Sequence, residues 1–322
     1  MYPLGAERIL AMSTSWNVYK HHSSKAMLEE IVALGFKWIE LSHGIDAHMV
    51  TEISEFVQRG RVRISSLHNF YPVPRERNDL SLLQFTSCRE DQRRWAVSFT
   101  QRTIDHAARL GASCVVLHFG NVGGLRSYRR LRQLALQGKL YTKEFARAKI
   151  REILCRERWS APLKERAVDC LLQLGDYAGA KGVRLGIENR KAYEEFPSER
   201  ELLALLEKLS HPTFGYWHNF GHSQVKEHLT LVNHKEWLER VGSRAVGSHV
   251  RDVQGLDDDN LPPFSGTIDY PRLVPLLPKD CIFVLDLKGF SRSGAIRASV
   301  KRWKNMFLSQ ETSGGESRSS AR

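Results

Sequence analysis

The stretch Arg184-Leu-Gly-Ile-Glu-Asn-Arg190 is a short apolar run that ends on a carboxylate. Three later stretches have the same design, in which an apolar run leads into amide, imidazole or carboxylate side chains: Phe214–His222, Ala245–Asp252 and Cys281–Gly289. Helical sequence patterns separate each stretch from the next. Short apolar runs that alternate with helical patterns are typical of β/α units in a parallel sheet. We therefore predict buried parallel strands whose carboxyl ends bring these polar groups to one place.

The same alternation extends over most of the chain. We predict strands at about residues 8–15, 36–41, 62–67, 113–117, 183–187, 213–217, 245–250 and 281–285. Helices are expected at about residues 24–34, 49–59, 89–110, 163–180, 199–209, 224–240, 271–276 and 292–307. The pattern leaves open whether Asn233 divides the helix at 224–240. Eight β/α units in a chain of this length predict an α/β fold that forms a (β/α)8 TIM barrel.

Two segments depart from a minimal barrel. Between the fourth and fifth predicted strands, the pieces 125–136 and 143–154 carry arginine and lysine opposite an apolar face. We interpret residues 123–162 as a basic helical insertion, most simply a solvated amphipathic pair, although contact with nucleic acid or a lid over the cleft stays open. Residues 309–322 are rich in serine, glycine and charge, and we expect a disordered tail after one domain of residues 1–308.

Composition restricts the class of protein. In these 322 residues no apolar run approaches the roughly 20 residues of a membrane helix, and the N-terminus lacks the pattern of a secretory signal. The five cysteines form no CxxC pair and are interpreted as reduced thiols, so that we expect a cytoplasmic protein without membrane contact. The net charge of +12 is compatible with nucleic acid, with an anionic substrate or with a general habit of the proteome.

Acids and histidines are concentrated at the predicted strand ends. They are Glu40, His43, His68, His118, Glu188, His218, Asn219, His222, His249, Asp252 and Asp286, with Asn219 as the one amide. A TIM barrel carries its chemistry at the carboxyl ends of its strands, because the loops there surround one cleft. Carboxylate and imidazole ligands together suit Zn²⁺, Mn²⁺, Fe²⁺ or Co²⁺ rather than Ca²⁺. This distribution predicts a functional cleft with a bound divalent metal.

The order of these motifs resembles a known family. Glu188, then Trp-His-Asn-Phe-Gly-His222, Ser-His-Val-Arg-Asp252 and Asp-Leu-Lys288 look like the xylose-isomerase-like TIM barrels, which include sugar (phosphate) isomerases and epimerases and apurinic-site endonucleases. The string Pro263-Phe-Ser-Gly-Thr-Ile-Asp269 is similar to this family's loop after the seventh strand. The resemblance covers most of residues 8–306.

The resemblance implies a metal-dependent sugar or sugar-phosphate isomerase or epimerase. Its divalent ion (Mn, Co, Zn, Fe or Mg) would be held by Glu188, Asn219, His249 and Asp286, with Glu188 and Asp286 also the acid/base pair around an enediolate. The family usually has Asp at the position of Asn219 and Glu at that of Asp286, so the ligand set is either changed or degenerate. Further residues expected to contact substrate or to orient ligands are Trp16, His68, His118, His222, Arg251 and Lys288.

Two alternatives remain. A zinc-dependent phosphodiesterase acting at abasic sites in DNA is favoured by His68, His118, His222 and the positive charge, whereas Asn219 and the lack of an Asp-x-His motif after Asp252 speak against it. A non-catalytic barrel with a decayed metal site could still bind a sugar or an anion. The resemblance also makes a homo-oligomer plausible.

Overall fold

The computed structural model of the chain describes residues 8–73, 84–122, 127–256 and 258–308. Eight parallel strands close into a barrel: β1 Leu10–Ser13, β2 Trp38–Leu41, β3 Arg63–His68, β4 Cys114–Leu117, β5 Arg184–Glu188, β6 Phe214–Asn219, β7 Ala245–Val250 and β8 Ile282–Leu285. Each strand pairs with the next, and β8 pairs with β1. The predicted α/β class and the (β/α)8 barrel are confirmed.

Helices surround the barrel. They are α1 Ser24–Ala33, α2 Met49–Gln58, α3 Glu90–Leu110, α4 Ser127–Leu136, α5 Lys143–Ala180, α6 Glu199–Lys208, α7 Phe220–His228, α8 His234–Val241, α9 Tyr270–Leu273 and α10 Ser293–Phe307. Asn233 caps α8 and so divides the helical pattern that the sequence left undecided. None of the helices in the described ranges is long and apolar enough to span a membrane.

The predicted division of the insertion from the regular fourth helix is wrong. Helix α5 runs unbroken for 38 residues through Pro162, a length of about 57 Å at the rise of an α-helix. An internal proline forgoes one backbone hydrogen bond at a cost of about 3 kcal/mol. Tertiary anchoring on the N-terminal side of Pro162 offsets this cost, because the buried Arg156 forms an ion pair with Glu201 of α6. Residues 123–126 and the tail at 309–322 lie outside the described ranges.

The barrel interior is filled by side chains around Trp217. This indole packs in a buried cluster with the residues Ala11, Cys114, Val116, Val246, Ile282 and Val284. Gly247 of the neighbouring strand β7 makes the space, since a Cβ there would lie 2.2 Å from the indole ring of Trp217. Because side chains alternate along a strand, Trp217 and Asn219 share one face of β6, while Tyr216 and His218 share the other. The inner face therefore leads from the packed core up to Asn219.

Candidate active site

Glu188, the last residue of β5, is a buried carboxylate with a partner on each oxygen. Its Oε1 accepts hydrogen bonds from Asn219 Nδ2 and His249 Nδ1, both at 2.7 Å. Its Oε2 accepts one from Arg190 Nη1 at 2.7 Å and also contacts His118 Nε2. Arg190 is fixed in turn by Glu195, which lies on a two-residue strand pairing with Gly120–Asn121. Residues from four parts of the barrel rim thus converge on one carboxyl group.

His249 lies between two carboxylates. Its Nδ1 faces Glu188 Oε1, and its Nε2 lies 3.0 and 3.1 Å from the two carboxyl oxygens of Glu40 at the end of β2. Ser66 donates a further hydrogen bond of 2.9 Å to Glu40, which fixes this carboxylate. Since Glu40 and Glu188 each face one ring nitrogen, they hold the imidazole in a single orientation.

The protonation states of Glu188 and His249 follow from their contacts. Burial on its own raises the pKa of Glu188, but His118 and His249 outweigh burial and hold this pKa well below its ordinary value. Burial alone lowers the pKa of His249, whereas the carboxylates of Glu40 and Glu188 raise it well above its ordinary value. At neutral pH the imidazolium of His249 therefore lies against the ionised carboxylate of Glu188 and has Glu40 on its other side.

Asn219 serves the site and a helix at once. Its Nδ2 donates to Glu188, and its Oδ1 accepts from the backbone N–H of His222 at 3.0 Å, which caps α7. The backbone N–H of Asn219 donates to Asn189 Oδ1 at 2.6 Å, so the residue after Glu188 fixes its position. As a result the amide turns a donor, and not its oxygen, toward the carboxylate.

Asp286, which follows β8, is held by two hydrogen-bond donors, one of them positively charged. It accepts a hydrogen bond of 2.7 Å from Ser15 and one of 2.9 Å from Arg251. Burial on its own raises the pKa of Asp286, but Arg251, His249 and Ser15 hold it below its ordinary value. The second guanidinium nitrogen of Arg251 donates to His222 Nε2 at 2.6 Å. Asp286 is thus ionised and linked through Arg251 to the start of α7.

Three histidines line the rim above β2 to β4. The rings of His43 and His68 lie 4.2 Å apart between centroids, those of His68 and His118 4.3 Å, and those of His43 and His118 6.0 Å. His68 also stacks on His249 with a centroid distance of 5.7 Å and an interplanar angle of 3°. The histidine rim is therefore continuous with the acidic centre.

Two groups of described residues fit a divalent metal by the separation of their donor atoms. Each keeps its ligand atoms within 4.8 Å of one another: His68, Glu188 and His249 form one, and His43, His68 and His118 form the other. In the first group Glu40 already orients His249 through its other ring nitrogen, as metal-bound histidines usually require. The predicted ligand set Glu188, Asn219, His249 and Asp286 is partly assembled, because Asn219 presents its NH₂ group and Asp286 is occupied by Arg251.

The remaining predicted residues have varied surroundings. Trp16 is buried, donates from Nε1 to the Ser291 carbonyl at 3.0 Å and has Lys20 4.1 Å from its ring centroid. Lys288 is exposed. His218 of the strand-end set faces away from the cleft and contacts Tyr216 and His234.

Sequence reasoning assigned no role to Glu40, Arg190 or Ser15, although all three contact the predicted site residues. Glu40 stood among the strand-end acids, and Arg190 is the last residue of the stretch 184–190 that contains Glu188, so the sequence held a signal for both. Ser15, directly after β1, carried no such signal.

The fold and the cleft define a closed β/α barrel with acids and histidines at the carboxyl ends of its strands. Residues 28–306 match the family model described as xylose isomerase-like TIM barrel, and the chain belongs to this family. No curated protein matches the chain at a significant level.

Solved structures extend the comparison at low sequence identity. A D-tagatose 3-epimerase-like protein superposes with a TM-score of 0.67 at 17% identity, covering 92% of this chain and 96% of its own. An L-ribulose 3-epimerase superposes with a TM-score of 0.67 at 13% identity, covering 94% of this chain and 95% of its own. The IolI protein, whose structure has a bound zinc atom, superposes with a TM-score of 0.64 at 14% identity, covering 93% of this chain and 98% of its own. At these identities the similarity establishes a shared fold.

Proposed function

We propose that the protein is a sugar isomerase or epimerase that moves a proton at a carbon next to a carbonyl group. The observation that carries the proposal is a pair of ionised acids in one cleft, the buried Glu188 and the partly buried Asp286, with His249 between two carboxylates. Structural neighbours described as a D-tagatose 3-epimerase-like protein and an L-ribulose 3-epimerase support the sugar class.

Glu188 is proposed as the group that removes the α-proton. Its pKa lies well below the ordinary value, so the carboxylate is available as a base at neutral pH. Asn219, Arg190 and His249 fix both oxygens and so hold the base in one position. Removal of the proton leaves an enediolate, which the guanidinium of Arg190 stabilises electrostatically. The imidazolium of His249 does the same as long as no ion is bound to that ring.

Asp286 is proposed as the partner that returns a proton. It lies after β8, separated from β5 in the barrel by β6 and β7, so the two carboxylates reach the cleft from different strands. Since both are ionised at rest, the acid that returns a proton must first take one from water. We therefore expect an epimerisation run in D₂O to place deuterium at the α-carbon of the product.

A divalent ion is proposed as a cofactor, in keeping with the carboxylate and imidazole donors. His68, Glu188 and His249 would hold it, and Asp286 would complete the set if Arg251 released it. When bound, such an ion polarises the carbonyl and the adjacent hydroxyl of the sugar and stabilises negative charge on their oxygens. Glu40 would keep Nε2 of His249 occupied, which leaves Nδ1 for the ion.

The proposal is tested by replacing Glu188 with glutamine and assaying a panel of ketoses that includes D-tagatose, L-ribulose and D-allulose, with and without added Mn²⁺, Co²⁺ or Zn²⁺. Loss of a catalytic base is worth roughly 10² to 10⁴ in rate, so Glu188→Gln is expected to lower kcat by at least about 100-fold. Glu207→Gln, an exposed acid on α6, is the matched control. Wild-type turnover in Glu188→Gln would refute the mechanism. Cleavage of abasic DNA without turnover of any ketose would favour the endonuclease alternative.

A further inference from the structure

Helix α5 exposes large apolar side chains in the basic insertion. Ile150 is 57% exposed, Leu154 61% and Trp159 50%, and all three come from ten consecutive residues of one helix. Leu154 is two residues from the buried Arg156, a turn of about 200° around an α-helix, so the centre of the group lies opposite the packed side. Single exposed apolar residues are ordinary on a protein surface, whereas a contiguous group of them marks an interaction site.

Arginines surround these apolar side chains. Both kinds of residue line one shallow groove of about 580 Å³, at the spacing of three and four residues that keeps side chains on one side of a helix. The residues of this α5 groove are Arg147, Ile150, Arg151, Leu154, Cys155, Arg158 and Trp159. The exposed acids Glu144 and Glu157 of the same helix are engaged elsewhere, since they pair with Arg130 and Arg200. No acid in the part of the chain that the structure describes forms an ion pair with the three arginines of the groove.

The chemistry of the α5 groove selects an acidic, amphipathic helix. Tryptophan and arginine are the residues on which binding energy at protein interfaces is concentrated. An amphipathic helix carries apolar residues at the same spacing and can lie along residues 147–159, a length of about 18 Å or three turns. A guanidinium group binds a carboxylate through two parallel hydrogen bonds. Aspartate or glutamate beside the apolar stripe of the partner would therefore meet the three arginines.

Other occupants fit the α5 groove less well. Two copies of this chain would bring arginine against arginine, because no acid lines the groove. A nucleic acid backbone would neutralise the arginines but leave Ile150 and Leu154 uncovered. An anionic bilayer would cover them, but about half of each apolar side chain is exposed. The three together offer less apolar surface than one myristoyl chain, which by itself binds membranes only marginally.

We propose that the α5 groove is a docking site for an acidic, amphipathic helix of a partner protein. The apolar stripe of that helix covers Ile150, Leu154 and Trp159, and its carboxylates pair with the arginines. A helix of three turns buries less than the roughly 800 Å² per partner of a standard interface, so the contact is transient. The docking site does not depend on the proposed sugar chemistry, because no residue of the groove belongs to the cleft around Glu188.

The test measures the fluorescence anisotropy of labelled synthetic peptides titrated with the full chain. One peptide is helical, with leucine at the spacing of three and four residues and glutamate on both flanks, and a second peptide has lysine in place of each glutamate. Wild type should bind the acidic peptide at least about 10-fold more tightly than the lysine peptide, because only the first complements the arginines.

Variants then locate the binding site. Trp159→Ala and Arg151→Glu should each weaken binding of the acidic peptide at least about 10-fold, since tryptophan and arginine are typical anchors of an interface. Arg297→Glu, which reverses an exposed charge on α10, is the matched control and should retain wild-type affinity. Far-UV circular dichroism shows that each variant is folded.

Three further measurements address the other occupants. Light scattering after size exclusion reports the oligomeric state, sedimentation with vesicles of phosphatidylcholine and phosphatidylserine reports membrane binding, and a labelled DNA duplex reports nucleic acid binding. A dimer that Trp159→Ala dissociates would overturn the proposal in favour of a second copy of this chain. Binding of vesicles or of DNA that Arg151→Glu abolishes would overturn it if the acidic peptide does not bind. Failure of wild type to bind the acidic peptide, or equal affinity in wild type, Trp159→Ala and Arg151→Glu, would also overturn it.

Discussion

Replacing Asn219 with aspartate tests how the acidic centre is balanced. In the structure Nδ2 of Asn219 donates to Glu188 Oε1 at 2.7 Å, while Oδ1 caps α7. Aspartate keeps an acceptor for the cap but places a second carboxylate oxygen where the donor was. Without a metal, Asn219→Asp should therefore destabilise the fold through repulsion between two buried acids.

The magnitude follows from that distance. Two unit charges 2.7 Å apart repel by about 6 kcal/mol at an effective dielectric constant of 20. Protonating one acid instead costs about 4 kcal/mol at pH 7, since its ordinary pKa is about 3.9 and each pH unit is worth 1.36 kcal/mol. The cheaper route sets the limit, so we expect a loss of up to about 4 kcal/mol at pH 7 and about 1.5 kcal/mol at pH 5. In the folded variant one carboxyl pKa is raised, so the folded state binds a proton that the unfolded state does not bind at the same pH. The free energy of unfolding of Asn219→Asp therefore falls as pH rises.

The assay is urea unfolding followed by circular dichroism at pH 5 and pH 7 in the presence of chelator. Asn219→Ser is the matched control, because serine can cap α7 and adds no charge. A divalent ion that binds the new carboxylate, added at a concentration of 100 times its Kd, should raise the free energy of unfolding of Asn219→Asp by about 2.7 kcal/mol. The same addition should not stabilise the serine variant to a comparable extent. If Asn219→Asp is as stable as wild type in chelator and shows no dependence on pH relative to it, the described balance of charges is wrong.

Three other predictions follow from single contacts. Glu40→Gln removes one of the two buried carboxylates that face His249, so the free energy of unfolding at pH 7 should fall by about 3 kcal/mol. An unchanged midpoint in urea unfolding would contradict the ion pair. Gly247→Ala should destabilise by about 1–3 kcal/mol through overpacking, seen as a lowered Tm, because the new methyl group meets Trp217; unaltered thermal unfolding would show that the indole moves freely. Burial and Lys226 lower the pKa of His234 to about 3, so below pH 6.5 the unfolded chain binds a proton that the folded protein does not. The free energy of unfolding should therefore fall toward pH 4 by up to about 1.4 kcal/mol per pH unit. His234→Gln should flatten this slope, and an equal slope in the variant and in wild type would refute the prediction.

The barrel was predictable because its signals are local. Each strand is a short apolar run, and several helices begin at a recognisable cap, such as the capping box of Ser198 and Glu201. The predicted break between residues 154 and 163 came from treating the two helical segments separately, and the pairing of Arg156 with Glu201 that anchors the joined helix is not visible in either segment alone. Propensity fixes where helices are favoured, but packing decides whether they join.

The site was predictable as a set of positions and not as a set of contacts. Strand ends placed Glu188, Asn219 and His249 at one rim, because parallel strands in a barrel share that edge. Their pairing depends on barrel register and side-chain rotation, as in the contact between Glu40 and His249 across 209 residues of sequence. The orientation of the Asn219 amide likewise depends on α7, which begins directly after it.

The double role of Asn219 has an evolutionary consequence. Helix capping restricts the position to small polar residues, whatever the chemistry of the neighbouring cleft requires. A gene library randomised at this codon and selected only for folded protein in a chelating medium should return asparagine, serine and threonine. The same selection with abundant metal should admit aspartate as well. The residue found at this codon would then record the metal supply under which a lineage was selected.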